Sequence, residues 1–248
     1  MTQNRPRKVF VATPCYDGRA DVWYMNSLIQ TVKMAPQFNV EITPIWLSYD
    51  ALIQRARNDC VALALETGSD DCIFIDSDLE WQPEWFFQLL EHPVDVVGGT
   101  YRKKSDEEET YVVKLLSWDN CDPDLDTKLI RVNGLGTGFL RFSRRALQAL
   151  WDNSEPYNEL EAGKHRRWIF NTLVVNGQLI SEDIWVCRRV QELGFDIWLD
   201  PTMTLSHLGT KKFRGDFENW MVRAKQAVHN MQQSAPATTP DHIRDLYK

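Results

Sequence analysis

Short apolar runs alternate along this chain with longer amphipathic stretches, and Gly and Pro punctuate the joins. Val9-Phe10-Val11-Ala12 is a compact apolar run that leads into Thr13-Pro14-Cys15-Tyr16-Asp17-Gly18, a loop sequence. The spacing of Val22, Met25, Leu28, Ile29 and Val32 predicts a helix from Asp21 to about Met34 with one apolar face, capped by Asp21. A strand is predicted over Val40 to Leu47, where Pro44 argues for an edge position or a bulge. Ala51 to Glu66 reads as a helix that Gly68 ends, and Asp71 to Asp76 as the third strand. Pro83 opens another helix through Leu90, and Val94 to Val97 supplies a fourth strand ending at Gly98-Gly99.

This alternation predicts a mainly parallel sheet with helices on both faces and functional loops beyond the carboxyl ends of the strands. The middle breaks the pattern. Ser105 to Glu109 is a charged loop, Tyr111 to Leu116 resembles a strand, and Asp119 to Asp126 is acidic and turn-rich. Strands are expected at Lys128 to Val132 and Phe139 to Phe142, the second entered through Gly134-Leu135-Gly136-Thr137-Gly138. Ser143 is placed to cap a helix, and the segment 152–164 reads as a mobile loop. Ser181 starts a helix with Glu182 and Asp183 in its first turn, and Gly194 stops it. Phe195 to Leu199 is a strand, Pro201 begins a loop that reaches Ser206-His207-Leu208-Gly209, and Phe217 to about Met231 forms a last helix. Residues 1–231 are expected to form one domain and 232–248 a polar tail.

A length of 248 residues with 43% hydrophobic positions suits a single α/β domain with a sizeable core. Ten tryptophans are many for this length; most pack in the core, and surplus rings beside a cleft are candidates to contact a ligand or partner. The formal charge of −7 argues against broad attraction to nucleic acid. The clusters Lys164-His165-Arg166-Arg167 and Lys211-Lys212 with Arg214 are either local phosphate contacts or solvated basic patches. Five scattered cysteines without CxxC spacing fit a reducing compartment, so a cytoplasmic location is expected. Met1 to Lys8 lacks the apolar stretch of a secretory signal, and no run suits a membrane helix. P-loop, HExxH and GxSxG motifs are absent.

Candidate chemistry centres on Cys72-Ile73-Phe74-Ile75-Asp76-Ser77-Asp78, an apolar run ending in two carboxylates one residue apart. If the strand extends through both, Asp76 and Asp78 point the same way and suit a hard divalent cation, Mn²⁺ or Mg²⁺. Two solvated acids in a strand-to-helix turn are the plainer alternative. His207 is able to join carboxylates at Mn²⁺, or is a satisfied surface or core residue. Glu182 and Asp183 either cap a helix or face a cleft, where Asp183 would serve as base for an acceptor hydroxyl and Glu182 would orient the acceptor. Arg57 offers paired contacts to phosphate or carboxylate, or packs across its helix. Gly134, Gly136 and Gly138 either let backbone approach a bound sugar or form a simple turn.

In their order and spacing these segments resemble a glycosyltransferase of the GT-A fold, family-2-like, of the soluble bacterial or phage/viral type. The resemblance runs from Val9 to about Gly209 and is carried by Val11-Ala12-Thr13-Pro14, Arg57-Asn58 ahead of Phe74-Ile75-Asp76-Ser77-Asp78, Gly136-Thr137-Gly138-Phe139, Ser181-Glu182-Asp183 and Ser206-His207-Leu208-Gly209. It implies a Rossmann-like mixed sheet flanked by helices. It also implies transfer of a sugar from a nucleoside-diphosphate donor to a hydroxyl acceptor, with inversion. Thr13, Pro14 and Tyr16 would receive the nucleotide, Asp76 would lie near ribose and metal, and Asp78 and His207 would be metal ligands. Arg57 would reach the nucleotide or diphosphate, Lys211 would neutralise the leaving diphosphate, and Asp183 would be the base. A glycan or small-molecule acceptor ranks above modified DNA. A nucleotidyltransferase and a non-catalytic nucleotide-sugar-binding module are the competing readings.

Overall fold

The computed structural model describes residues 5–158 and 165–234. The first half runs β1 (Arg7–Cys15), α1 (Val22–Met34), β2 (Val40–Ser48), α2 (Ile53–Glu66), β3 (Asp71–Ile75), β4 (Leu79–Glu80), α3 (Pro83–Glu91) and β5 (Val96–Tyr101). It continues with β6 (Val113–Leu115), β7 (Ile130–Leu135), β8 (Phe139–Ser143), α4 (Arg144–Asp152), β9 (Pro156–Asn158) and β10 (His165–Arg167). The last elements are β11 (Leu173–Val175), β12 (Gln178–Ile180), α5 (Glu182–Glu192), β13 (Ile197–Leu208), β14 (Lys212–Phe213) and α6 (Phe217–Ser234).

The central sheet has the order β2-β1-β3-β8-β5-β13-β7-β6, while β9–β10 and β11–β12 are separate hairpins. Side chains alternate across it, which explains the continuous apolar runs: a strand covered on both faces has no polar side. Phe10, Ala12, Cys72 and Phe74 pack with Cys60 and Val61 of α2, Leu147 of α4, Val186 of α5 and Phe217 of α6. Val9, Val11, Ile73 and Ile75 pack on the other face with Tyr24 and Leu28 of α1 and Phe86 and Leu89 of α3. The result is a mixed α/β, Rossmann-like layered fold.

The expectation of a mainly parallel sheet is corrected. β1 is parallel to β2 and β3, and β5 to β13, but β8 inserts between β3 and β5 antiparallel to both. β7 and β6 extend the far side through antiparallel pairs. The carboxyl ends of β1, β3, β5 and β13 still share one edge, because β8 reverses direction twice over.

Other boundaries shift for local reasons. Gly98 and Gly99 lie inside β5 rather than ending it, since a Cβ would meet Phe139 O at 2.5 Å or Met203 Cβ at 2.8 Å. β13 extends to Leu208, absorbing the loop expected from Pro201 as a register break between Leu199 and Thr204. α1 turns a different face inward: Val22, Ile29 and Val32 are exposed, whereas Tyr24, Ser27, Leu28 and Thr31 are buried. Ser27 Oγ donates to Trp81 O at 2.8 Å, and Trp81 Nε1 donates to Thr31 Oγ1 at 3.1 Å, so these polar groups are satisfied inside. Asp21 and Ser143 cap α1 and α4 as expected, and Pro44 sits on the edge strand β2.

An ionic staple sits at the amino end of β3. Asp71 accepts from Arg7 Nε at 2.5 Å and from Arg141 Nε at 2.7 Å, and Arg141 Nη1 donates to Leu89 O at 2.9 Å. Part of the expected mobile loop is ordered in the β9–β10 hairpin; residues 159–164, including Lys164 of the basic cluster, lie outside the described residues. Most of the expected tail, 235–248, lies there as well.

Candidate active site at the carboxyl edge of the sheet

β3 stops at Ile75, so Asp76 and Asp78 are set by a turn, closed by Leu79 N donating to Asp76 O at 3.2 Å, and not by strand alternation. The two carboxylates therefore meet different partners. β4, immediately after the turn, pairs antiparallel with the end of β13 and places His207 opposite Leu79. Leu208 N donates to Asp78 O at 2.8 Å. This short pairing brings His207 Nε2 to 3.6 Å from Asp78 Oδ2.

His207 Nδ1 lies 2.9 Å from Arg102 O. A carbonyl only accepts, so Nδ1 carries a proton, and Nε2 faces the Asp78 carboxylate as a donor when the ring is charged and as a lone pair when it is neutral. A cation beside the carboxylate stabilises it in either state. Lys104 Nζ supplies one at 2.5 Å from Asp78 Oδ2. Burial alone would raise the Asp78 carboxyl, but His207 and Lys104 outweigh it and hold its pKa below the ordinary value.

Asp76 turns the other way. Its Oδ1 accepts from Arg57 Nη2 at 2.9 Å, and its Oδ2 lies where a Cβ on Gly138 would come within 2.7 Å. Dehydration raises its pKa most, Arg57 opposes, and Asp78 adds to the rise. Its side chain keeps 28% of its surface accessible, a narrow opening to the cleft.

Arg57 projects from α2 with 5% of its side chain exposed, its guanidinium over the rings of Phe74 and Phe170 at 6.0 and 5.9 Å. Burial disfavours its charge, but Asp76 and Glu182 hold the guanidinium protonated, with its pKa raised. Its Nε lies 4.0 Å from Glu182 Oε1, too far for a hydrogen bond. Arg57 Nε and Nη1 and Thr137 Oγ1 are buried without a hydrogen-bond partner among the described residues. The next two residues of α2 serve the scaffold: Asn58 Oδ1 accepts from Phe170 N at 2.8 Å, and Asp59 Oδ1 accepts from Arg166 Nε at 2.6 Å.

Glu182 and Asp183 open α5 as expected. Asp183 Oδ1 accepts from Ser181 Oγ and from Ile184 N, which leaves Oδ2 outside the capping contacts. The Asp183 charge is felt at Arg57, Asp76 and Tyr101, so it belongs to the same cluster. Tyr101 at the end of β5 is buried; burial first and Asp76 second raise its pKa well above the phenol range, so it stays neutral. A Cβ on Gly136 or Gly138 would approach the Tyr101 hydroxyl to 2.6 or 2.5 Å, which explains both glycines by packing within the protein.

The loop after β1 closes the other side. A cleft of about 420 Å³ is lined by Asp17, Arg19, Ala20, Asp21, Ser77, Asp78, Lys104, Leu208 and Gly209. Thr13 is fully buried and its hydroxyl pairs with Tyr24 OH at 2.6 Å, so its side chain serves the core and not a ligand. Pro14 is within β1, whereas Tyr16 is 72% exposed at the loop. Tyr49, 82% exposed at the end of β2 with a φ of 64°, lays its ring against Gly18. Lys211 pairs with Asp106 and lies over the Phe213 ring at 5.1 Å. The basic cluster is engaged internally: Arg166 is buried on Asp59, and Arg167 Nη1 donates to Ser154 O at 3.0 Å.

Sequence reasoning missed Lys104, Tyr101 and Tyr49. A Tyr-Arg-Lys-Lys run at the end of a buried strand was the available signal for the first two. Among the described residues, no group of three or more His, Cys, Asp or Glu side chains stands ready as a metal cluster. Asp78 Oδ2 and His207 Nε2 are the carboxylate and imidazole that approach each other, at 3.6 Å, a donor pair of the kind that would hold a divalent ion, while Asp76 on the same turn is directed to Arg57.

No protein-family model matches the chain, and no curated protein matches it significantly. Among solved structures, A197 from STIV aligns with a TM-score of 0.52 at 17% identity, covering 82% of this chain and 86% of that one. The two share a fold. The 1-349 portion of S. aureus TarS in complex with UDP-GlcNAc aligns with a TM-score of 0.46 at 13% identity, covering 85% of this chain and 60% of that one. Among the described residues, no helix is long and apolar enough to cross a membrane.

Proposed function

We propose that this chain is a metal-dependent glycosyltransferase of GT-A type, moving a sugar from a nucleoside-diphosphate donor to a hydroxyl acceptor. The carrying observation is the approach of His207 Nε2 to Asp78 Oδ2 at 3.6 Å, with the imidazole tautomer set for ligation. Asp78 and His207 would hold Mn²⁺ or Mg²⁺, with Asp76 beside them, and the ion would offset charge on the leaving diphosphate. The Arg57 N–H groups left without a partner among the described residues support recognition of the donor's oxygens. Tyr16, exposed beside the cleft-lining Asp17, offers a ring for the base, and Pro14 precedes the loop that carries it.

Asp183 is the proposed base. Its Oδ2 takes the proton of an acceptor hydroxyl while that oxygen attacks C1 of the sugar, and the C1–O bond to the diphosphate breaks on the opposite face. The anomeric centre is thereby inverted. Glu182, close to Arg57, orients the acceptor side of the cleft. Lys211 would have to leave Asp106 to meet the diphosphate. A glycan or small hydroxyl compound is favoured over modified DNA, because Arg166 and Arg167 are committed to internal contacts.

Incubation with a panel of nucleotide-sugars and Mn²⁺, read by nucleoside-diphosphate release, tests this reading. Turnover should vanish in Asp78→Ala and fall by about 10²- to 10⁴-fold in Asp183→Asn. Tight donor binding without release across broad saccharide, protein and hydroxymethylated-DNA acceptor sets would instead identify a non-catalytic binding module.

A further inference from the structure

The geometry points to Lys104 as an internal cation that occupies the divalent position at Asp78 and must be displaced when a metal ion binds. This rests on the divalent-cation reading of the Asp78–His207 pair. Lys104 Nζ lies 2.5 Å from Asp78 Oδ2, the same oxygen that faces His207 Nε2 at 3.6 Å. An ammonium and a divalent ion cannot share one carboxylate oxygen without strong mutual repulsion, so the two states are exclusive.

The contact is built for exchange. Lys104 and Asp78 keep 36% and 40% of their side-chain surface accessible, so water meets the ammonium as it leaves. The Lys104 stem crosses Gly209, where a Cβ would stand 3.2 Å from its Cδ; the missing side chain leaves a path over the end of β13. The segment that delivers the ammonium also sets the imidazole. Arg102 O fixes His207 Nδ1, while Lys103 N donates to Thr110 O at 2.8 Å and Arg102 Nη2 donates to Ser105 O at 3.2 Å. One short loop thus holds the ligand tautomer and the competing charge. Lys104 neutralises Asp78 at the oxygen that faces His207.

Removing the ammonium while keeping the stem should raise divalent affinity. Titration of the full chain with Mn²⁺ alone, read by loss of the free-ion electron paramagnetic resonance signal, compares wild type with Lys104→Met, Lys104→Gln, Lys103→Met and His207→Ala. Both Lys104 variants should bind Mn²⁺ about 1.4- to 5-fold more tightly, the range of one half-exposed ion pair. Lys103→Met removes the same charge without the Asp78 contact and should change affinity by less than about twofold. Unchanged or weaker binding in both Lys104 variants, with His207→Ala still lowering affinity, would overturn the role of Lys104 and leave the cation site standing. Equal tightening in Lys103→Met would overturn it too, by reducing the effect to the general field. Absence of Mn²⁺ uptake in every variant would remove both the site and its competitor.

Discussion

Asp76 and Asp78 stand two positions apart, yet one answers to a buried guanidinium and the other to an imidazole and an ammonium. The paired carboxylates at the end of an apolar run were legible in the sequence, because unpaired charge is costly in a buried strand. Their division of labour was not, since it depends on where β3 stops and on partners from β5, α2 and β13. Arg57 was legible as a partner for a carboxylate, which it meets in Asp76, while its burial over two phenylalanine rings was not. The glycines at 136 and 138 carry the tightest prediction at this scale. A Cβ on Gly138 would come within 2.5 Å of the Tyr101 hydroxyl and 2.7 Å of Asp76 Oδ2. Gly138→Ala should cost about 1–3 kcal/mol in chemical denaturation, the range for overpacking. Adding Tyr101→Phe removes the nearest of the three colliding atoms and should recover part of that loss, whereas strictly additive losses would count against this packing account.

Elements buried on both faces were easiest to locate. The runs of β1, β3 and β8 and the helices α2, α3 and α5 fall close to their expected places, because continuous apolar stretches and helical periodicity report burial directly. Pairing direction was hidden: nothing local in Phe139–Ser143 says that it inserts antiparallel between β3 and β5. The inward face of α1 was hidden for another reason, since Ser27 and Thr31 are polar residues satisfied by Trp81. The break in β13 has a testable fastening. Asp200 Oδ2 accepts from Gln88 Nε2 at 2.8 Å and pairs with His92 Nε2 at 2.9 Å, tying β13 to α3 and the residue after it. Burial would raise this carboxyl, but the bonds from His92 and Thr202 outweigh it and hold its pKa below the ordinary value. A carboxyl depressed in the folded state contributes stability above its unfolded pKa, and loses that contribution as pH falls through the folded value. Asp200→Asn should therefore lower unfolding free energy by about 1.5–3 kcal/mol at neutral pH. The gap to wild type should close below about pH 4. A gap that stayed constant into acid would show that the charge contributes nothing.

At the scale of the whole molecule, a mixed sheet covered on both faces delivers its chemistry to one edge. The carboxyl ends of β1, β3, β5 and β13 gather Asp17, Asp78, Lys104 and Gly209 around one cleft; Asp76 shares the turn with Asp78, Arg57 bonds Asp76, and Glu182 lies 4.0 Å from Arg57. The fold class and the location of this edge followed from strand–helix alternation; the convergence of Asp78 with His207 needed three dimensions, because β4 makes it by pairing with the end of β13. The net charge of −7 and the internal engagement of Arg166 and Arg167 leave little basic surface for a polyanion here. The proposed role of the Asp78–His207 pair is to hold a divalent ion that a nucleotide-sugar requires. Isothermal titration calorimetry of the preferred donor, with and without Mn²⁺, tests it most directly. Donor uptake should require Mn²⁺ in wild type and be lost in Asp78→Ala even when Mn²⁺ is present; equal uptake in chelator, or uptake unaffected by Asp78→Ala, would contradict the account.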